Sequence, residues 1–304
     1  MAAADEATWV EVDGRRLRLT HLDKVLYPAT GTTKAEVADY LARAAGPLLA
    51  QLADRPVTRV RWPHGTGRPD DRFYEKNAPR GAPEWLRTVV LAGDDGPVTH
   101  PLIDDVAGLV WAANLSALEL HTPQWRVAPG DDPAAVRRPD RLVVDLDPGP
   151  GTGLAECAAL ARLVAERLGD DGLACTPVTS GSKGLQLYAP LSGEQDAGVV
   201  REHAKRLAEG LARDRPGEVT ATMTRAVRTG KVLLDWSQNS GSKTTITPYS
   251  LRGRERPWVA APRRWEELDD GLAQLSADQV LARLEADGDL MPPRGAAGPR
   301  LPER

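Results

Sequence analysis

The chain alternates short runs of period-two hydrophobicity with longer amphipathic stretches, and this alternation predicts its elements. "WVEVDGRRLRL", residues 9–19, alternates on both sides of Asp13-Gly14, the pairing of a two-residue hairpin turn. "TTKAEVADYLARAAGPLLAQL" has helical spacing, with Thr32 or Thr33 as N-cap, Glu36 in the first turn and a kink or break at Gly46-Pro47. "PVTRVRW" and "RFYEKN" read as strands around a Gly/Pro loop, and "IDDVAGLVWAANLSALEL" as a second helix.

From "RLVVDLDPGPG" onward, a strand is followed by the helix "LAECAALARLVAERLGDDG" and the strand "ACTPVTS". The turn "GSKG", the strand "LQLYAPL" and the helix "DAGVVREHAKRLAEGLARD" come next, then the strand-like "KVLLDWS" and "TTITPYSL". Strand, helix, strand, strand, helix, strand over residues 141–250 matches a split βαβ module. The fold class is therefore α/β in the α+β sense. "MPPRGAAGPRLPER" at 291–304 is rich in Pro, Gly and Arg and is expected to be disordered.

Composition narrows the setting. With 304 residues, 41% of them hydrophobic, the chain can build a core without staples. Cys157 and Cys175 form no disulfide framework and no zinc spacing, which suits a reducing cytosol. No secretory h-region and no unbroken apolar span is present, so neither export nor a membrane partner is expected. The net charge of −4 argues mildly against nucleic acid, but it is unevenly placed. Residues 225–264 hold nine Lys/Arg against two acids, whereas 265–304 hold four Arg against nine acids. A basic region that could face phosphates is thus masked by an acidic end, although ordinary solvated surface would read the same way.

The candidate chemistry begins at Asp145 and Asp147. Alternate strand residues project from one face, so both carboxylates point the same way. Two such groups repel unless a cation lies between them, and an all-oxygen set suits Mg²⁺ or Mn²⁺. On this spacing alone an acidic strand end and turn is the commoner explanation. Asp235, behind the apolar run of "KVLLDWSQN", is a candidate third carboxylate. Three carboxylates on neighbouring strands could hold two metals for in-line phosphoryl transfer.

"TSGSKGLQLY" is a candidate phosphate cradle. Gly181 and Gly184 permit close backbone approach and an anion nest, and Ser180, Ser182 and Lys183 add donors. The GxxxxGK[ST] spacing of a Walker loop is absent. Arg228, Lys243, Arg252 and Arg254 supply further cations for phosphate oxygens. His121 ends another apolar run; taken singly, a structural histidine is the better reading.

Taken together, "DLDPGPG", "SGSKG" and "LLDWSQN…TTITPYSLR" resemble the three motifs of the archaeo-eukaryotic primase superfamily. The pattern is most similar to the polymerase domain of bacterial ligase D and to stand-alone actinobacterial primase-polymerases. The resemblance spans roughly residues 20–265 and includes "LDKVLYPATGTTKAEV", "RWPHG", "FYEKNAPRGAPEW" and "ELHTPQWR".

It implies a primase-like core, with an N-terminal αβ module (about 1–135) packed on a catalytic RNA-recognition-like module (about 136–265). The active site would lie in the cleft between them, with C-terminal helices over 266–290. It also implies a DNA primer-extending nucleotidyltransferase acting in gap filling or end joining. Two ions, Mn²⁺ preferred or Mg²⁺, would be held by Asp145, Asp147 and Asp235.

By the same matching, His121, Ser180, Ser182, Lys183, Gln186, Arg228, Lys243 and Arg252 would meet the incoming NTP or dNTP. Lys24 and Lys34 would grip a 5′-phosphate; Phe73 and Tyr74 would pack on DNA, which Arg61 and Lys76 would also bind. Relatives usually end the second motif with His, where this chain has Gln186, and tend to be basic at the position of Val60. The implied partners are primer-template, gapped or 5′-phosphorylated broken DNA, with a separate DNA ligase and a Ku-like protein, for a cytoplasmic, nucleoid-associated monomer. The alternatives are a non-catalytic nucleic-acid-binding module and a DxD nucleotide-sugar transferase; the latter leaves Asp235 and the N-terminal lysines without a role.

Overall fold

A computed structural model describes residues 7–93 and 95–302. β1 (Ala7–Val12) and β2 (Arg15–Thr20) pair antiparallel with Val12 opposite Arg15, leaving Asp13 and Gly14 as the turn. Both adopt positive φ (49° and 69°), the geometry that makes Asp-Gly a hairpin signal. β3 (Val25–Tyr27) and β4 (Thr32–Thr33) lead into α1 (Lys34–Arg43), whose capping box joins Thr33 and Glu36. The break before α2 (Ala45–Leu52) falls at Ala44, earlier than expected. Pro47 has no N–H to give the Arg43 carbonyl and its ring would collide there, so the first helix must end a turn ahead of the proline.

β5 (Thr58–Arg61) and β6 (Phe73–Glu75) form an antiparallel pair, and β7 (Thr88–Leu91) and β8 (Val98–Pro101) a separate hairpin. α3 (Val106–Asn114) is shorter than the helix expected from the sequence. Ser116 at φ 56° reverses the chain, and "ALELHT" becomes β9 (Ala117–Thr122) against β5. A run buried at all but one position carries no decisive periodicity, and the free edge of β5 settled it as a strand.

The second half is built on β10 (Arg141–Pro148), α4 (Leu154–Asp170), β11 (Thr176–Thr179), β12 (Leu185–Pro190) and α5 (Ala197–Asp214). β13 (Val219–Thr220), β14 (Val232–Asp235), β15 (Thr245–Ile246), β16 (Trp258–Val259), β17 (Ala261–Pro262), β18 (Leu275–Ser276) and α6 (Ala277–Asp287) follow. One sheet has the order β13-β14-β10-β12-β11-β17; a second has the order β15-β9-β5-β6. "TTITPYSL" therefore contributes only the two residues of β15 to the second sheet, while its Leu251 forms an isolated bridge with Val259.

Alternation along β10 divides its side chains between two cores. Leu142, Val144 and Leu146 pack under α4 and α5, while Val143 belongs to the core of the N-terminal half. The face bearing Val143 thus also turns Asp145 and Asp147 toward the other module.

Beyond α6, the segment expected to be disordered is instead docked. Met291 and Leu301 are buried, Ser192 N–H donates to the Pro299 carbonyl, and a Cβ on Gly298 would lie 1.9 Å from the Pro190 oxygen. Its few apolar side chains find sites on the preformed surface, which composition cannot foretell. A single α-helix and a short 3₁₀ turn at Trp265–Glu267 stand where C-terminal helices were expected. Among the described residues no helix is long and apolar enough to cross a membrane.

Candidate active site

Three strands bring the central residues together. In the β10–β14 pair Asp145 is directly opposite Asp235, and in the β10–β12 pair it is opposite Gln186. Partners opposite one another across such a ladder share a face. Asp147 projects from that same face two residues on.

Both β10 carboxyls are pushed above the ordinary aspartate range. For Asp145 the cause is burial, followed by the charges of Asp147 and Asp235. For Asp147 it is burial and then Asp235, partly offset by Arg228 and Arg252. Such a cluster is stabilised by a divalent cation, and carboxylate oxygens are the donors that Mg²⁺ and Mn²⁺ prefer. Among the described residues, no three His, Cys, Asp or Glu side chains stand fully arranged to hold a metal ion. Asp235 directs one oxygen to Ser237 N and Oγ (3.0 and 2.6 Å) and the other to Gln238 Nε2 (2.8 Å). It therefore caps its own turn, and the second lone pair of the oxygen held by Gln238 is what it has left to offer a metal.

A cavity of about 400 Å³ opens beside the pair, lined by Asp145 and Asp147 together with His121, Ser180, Ser182, Lys183, Gln186 and Arg252. The structure thus gathers eight of the residues expected at the site, and Arg254 lines the same cavity. Its size and mixed polarity suit a nucleoside triphosphate. Arg228 lies outside the lining but its charge is felt at Asp147.

The glycine-rich loop differs from the expected anion nest. Gly181 N–H donates to Gln274 Oε1 at 2.7 Å, and Ser182 and Gly184 N–H donate to Ser180 Oγ at 3.3 and 3.2 Å. These amides are committed within the protein, so the loop offers side chains rather than backbone to an anion. Its glycines serve close packing. A Cβ at Gly184 would meet the Leu146 oxygen at 2.2 Å, and one at Gly181 would meet Arg252 and Val259.

Gln186 is buried and gives Nε2 to Asp145 Oδ1 at 3.1 Å, while Tyr188 OH lies 3.0 Å from its Oε1. In this structure it holds the carboxylate in place. A neutral amide does this without adding a charge.

Sequence reasoning missed Glu119. Its Oε2 lies 2.9 Å from His121 Nε2 and 3.0 Å from Arg252, and its Oε1 accepts from Gly253 N–H at 3.0 Å. Burial alone would raise its pKa; the contacts with His121, Arg252 and Gly253 outweigh that and bring it down to about 2. One carboxylate thus orients two of the expected nucleotide contacts. The i, i+2 spacing of "ELH" on a strand was the available signal, hidden while the segment read as helix.

The expected DNA contacts separate into distinct places. Lys34 is buried, donates to the Asn114 carbonyl at 2.8 Å, and has its pKa lowered to about 8 by burial and by the charges of Lys24 and Arg61. Lys24, Lys34 and Arg61 therefore form one positive cluster, in which Lys24 donates to the Pro63 carbonyl and Arg61 to Glu75. Phe73 and Tyr74, both exposed, are successive strand residues and point to opposite faces. Phe73 lies under the Arg61 guanidinium (5.1 Å), on the side of the lysine cluster, whereas Tyr74 meets the edge of His121 (6.2 Å) at the cleft. Val60, opposite Tyr74 and Glu119 in the ladder, is buried in the core. Lys76 and Lys243 line a neighbouring cavity rather than either site.

Comparison with known proteins bears on this arrangement. Residues 33–291 match the family described as LigD, primase-polymerase domain. The chain is 52% identical over 280 residues to the multifunctional non-homologous end joining protein LigD of Mycobacterium bovis, covering 91% of the chain and 37% of that protein. It is 33% identical over 276 residues to the bifunctional non-homologous end joining protein LigD of Bacillus subtilis, covering 90% and 43%. The chain thus spans less than half the length of these relatives. Among solved structures, the polymerase domain from Mycobacterium tuberculosis ligase D in complex with DNA superposes with a TM-score of 0.85. That match has 52% identity and covers 90% of this chain and 96% of the other.

Proposed function

The chain belongs to the LigD primase-polymerase domain family of DNA-repair nucleotidyltransferases, and on that premise we propose that it extends the 3′ end of a DNA primer with NTPs or dNTPs. The observation that carries this reading is the opposition of Asp145 to Asp235 and Gln186, with Asp145 and Gln186 lining a cationic, triphosphate-sized cavity and Asp235 just behind them. Asp145, Asp147 and Asp235 would hold two divalent ions, Mn²⁺ or Mg²⁺. When bound, these supply Lewis-acid activation of the primer hydroxyl and charge neutralisation at the leaving pyrophosphate.

The protein's own part is positioning and electrostatics. Lys183 and Arg252, with the hydroxyls of Ser180 and Ser182, face the triphosphate. Glu119 holds Arg252 and His121 in the orientation that meets it. Gln186 keeps Asp145 aligned with the cavity. No side chain is needed as a covalent nucleophile.

The substrates in this reading are primer-template, gapped or 5′-phosphorylated broken DNA, with the Lys24, Lys34 and Arg61 cluster receiving the phosphate. Its setting would be nucleoid-associated gap filling or end joining beside a DNA ligase and a Ku-like partner. The test is primer extension by Asp145→Ala and Asp147→Ala proteins on a gapped duplex with manganese and NTPs. Extension at the wild-type rate would overturn the assignment.

A further inference from the structure

Beside the triphosphate cavity lies a second one of about 240 Å³, and Thr244 lines both. It holds the space of roughly eight liquid waters, ample for a planar purine. Its walls include Pro56, Leu91, Pro123 and Trp125, and Lys76 and Lys243 stand exposed at its rim. Leu91 and Trp125 belong to a small apolar cluster separate from the two main cores.

Two polar atoms in this lining lack a hydrogen-bond partner among the described residues: Thr58 Oγ1 and His100 Nδ1. Buried groups of this kind are costly and are ordinarily satisfied. Thr58 is almost completely buried on β5, directly opposite His121 of the triphosphate site. Burial, with Lys76 and Arg59 nearby, lowers the His100 pKa to about 4, so the ring is neutral and can meet an uncharged edge. Apolar walls, unpaired neutral donors and acceptors, and a cationic rim are what an unstacked base with its phosphates requires.

We propose that this bay receives one unpaired nucleobase of the bound DNA strand, drawn out of the stack next to the nucleotide being copied. Thr58 and His100 meet the base edge, and Lys76 and Lys243 meet the adjoining phosphates. The proposal rests on the DNA-polymerising reading above and adds a binding site to it.

The experiment uses primer-template DNA whose single-stranded template carries an abasic residue at each position in turn, with affinity read by fluorescence anisotropy. At one position, base removal should weaken wild-type binding about tenfold, the scale of losing one held base, and elsewhere it should have little effect. In Thr58→Val, which removes the hydroxyl at constant shape, and in Ala92→Trp, which fills the bay from its exposed rim, that position dependence should vanish. A flat wild-type profile would overturn the proposal, as would a profile unchanged in both variants.

Adenosine monophosphate added alone provides a further arm. If it quenches tryptophan fluorescence in the wild type but not in Trp125→Phe while the abasic profile stays flat, the bay takes free nucleotide and the strand assignment is wrong. Extension of intact primer-template at saturating DNA should persist in Ala92→Trp. Its loss in the wild-type protein would count against the polymerase reading and leave the binding profile to be judged by itself.

Discussion

Asp145 stands directly opposite Asp235 across the β10–β14 ladder, and Asp147 shares their face. Like charges placed this way oppose folding, so Asp145→Asn should stabilise the metal-free protein while abolishing extension. A gain on the order of 1 kcal/mol corresponds to roughly 2–4 °C in melting midpoint for a chain of this size. Because Asp145 and Asp147 are raised above their unfolded values, their destabilisation is complete at pH above those raised values and fades to nothing below the unfolded ones. The advantage of the Asn variant should therefore shrink as pH falls into the ordinary carboxylate range. Added Mn²⁺ should raise the midpoint of the wild type more than that of the variant; equal shifts in thermal melts would refute this.

Glu119 predicts a binding defect rather than a chemical one. Glu119→Gln retains an acceptor for Gly253 N–H but removes the charge that holds His121 and Arg252. KM for the nucleotide should rise by about tenfold or more with a smaller change in kcat, as expected when a buried charge pair loses one member. The depressed Glu119 pKa means its contribution is complete above its unfolded value and is lost only as pH falls toward about 2. An acid limb of activity near neutrality would therefore come from elsewhere in the site.

Lys34 should make discrimination for a 5′-phosphate sensitive to alkali. With its pKa lowered to about 8, the side chain loses its proton as pH rises from about 7 to about 9. The ratio of affinities for phosphorylated and unphosphorylated gaps should fall across that window in the wild type and stay flat in Lys34→Ala. A titration of both DNAs by anisotropy decides it.

Phe73 and Tyr74 should separate in function because they occupy opposite faces of β6. Phe73→Ala is expected to weaken binding to DNA downstream of a gap, by about 1 kcal/mol or more if a base stacks on it. Tyr74→Ala should chiefly raise KM for the nucleotide. Identical profiles for the two variants would contradict the division.

The docked C-terminal segment predicts a stability cost. Gly298→Ala places a Cβ where the Pro190 oxygen lies, and should lower the melting midpoint by several degrees. Limited proteolysis should then cut near residue 298 sooner than in the wild type.

Much of the site was readable from residues 141–254 because its signals are local. The i, i+2 spacing places Asp145 and Asp147 on one face whatever surrounds them, the glycines of "SGSKG" mark a close approach, and Asp13-Gly14 and Thr33–Glu36 specify their own turn and cap. Tertiary structure decided the rest. Only the free edge of β5 made "ALELHT" a strand and so turned Glu119 toward His121. Only the fold of the loop committed the amides of Gly181, Ser182 and Gly184, and only a preformed surface could dock residues 291–302. Local periodicity sets which side chains share a face, whereas the partner that face meets depends on residues distant in sequence, and charge, burial and pKa follow from that partner.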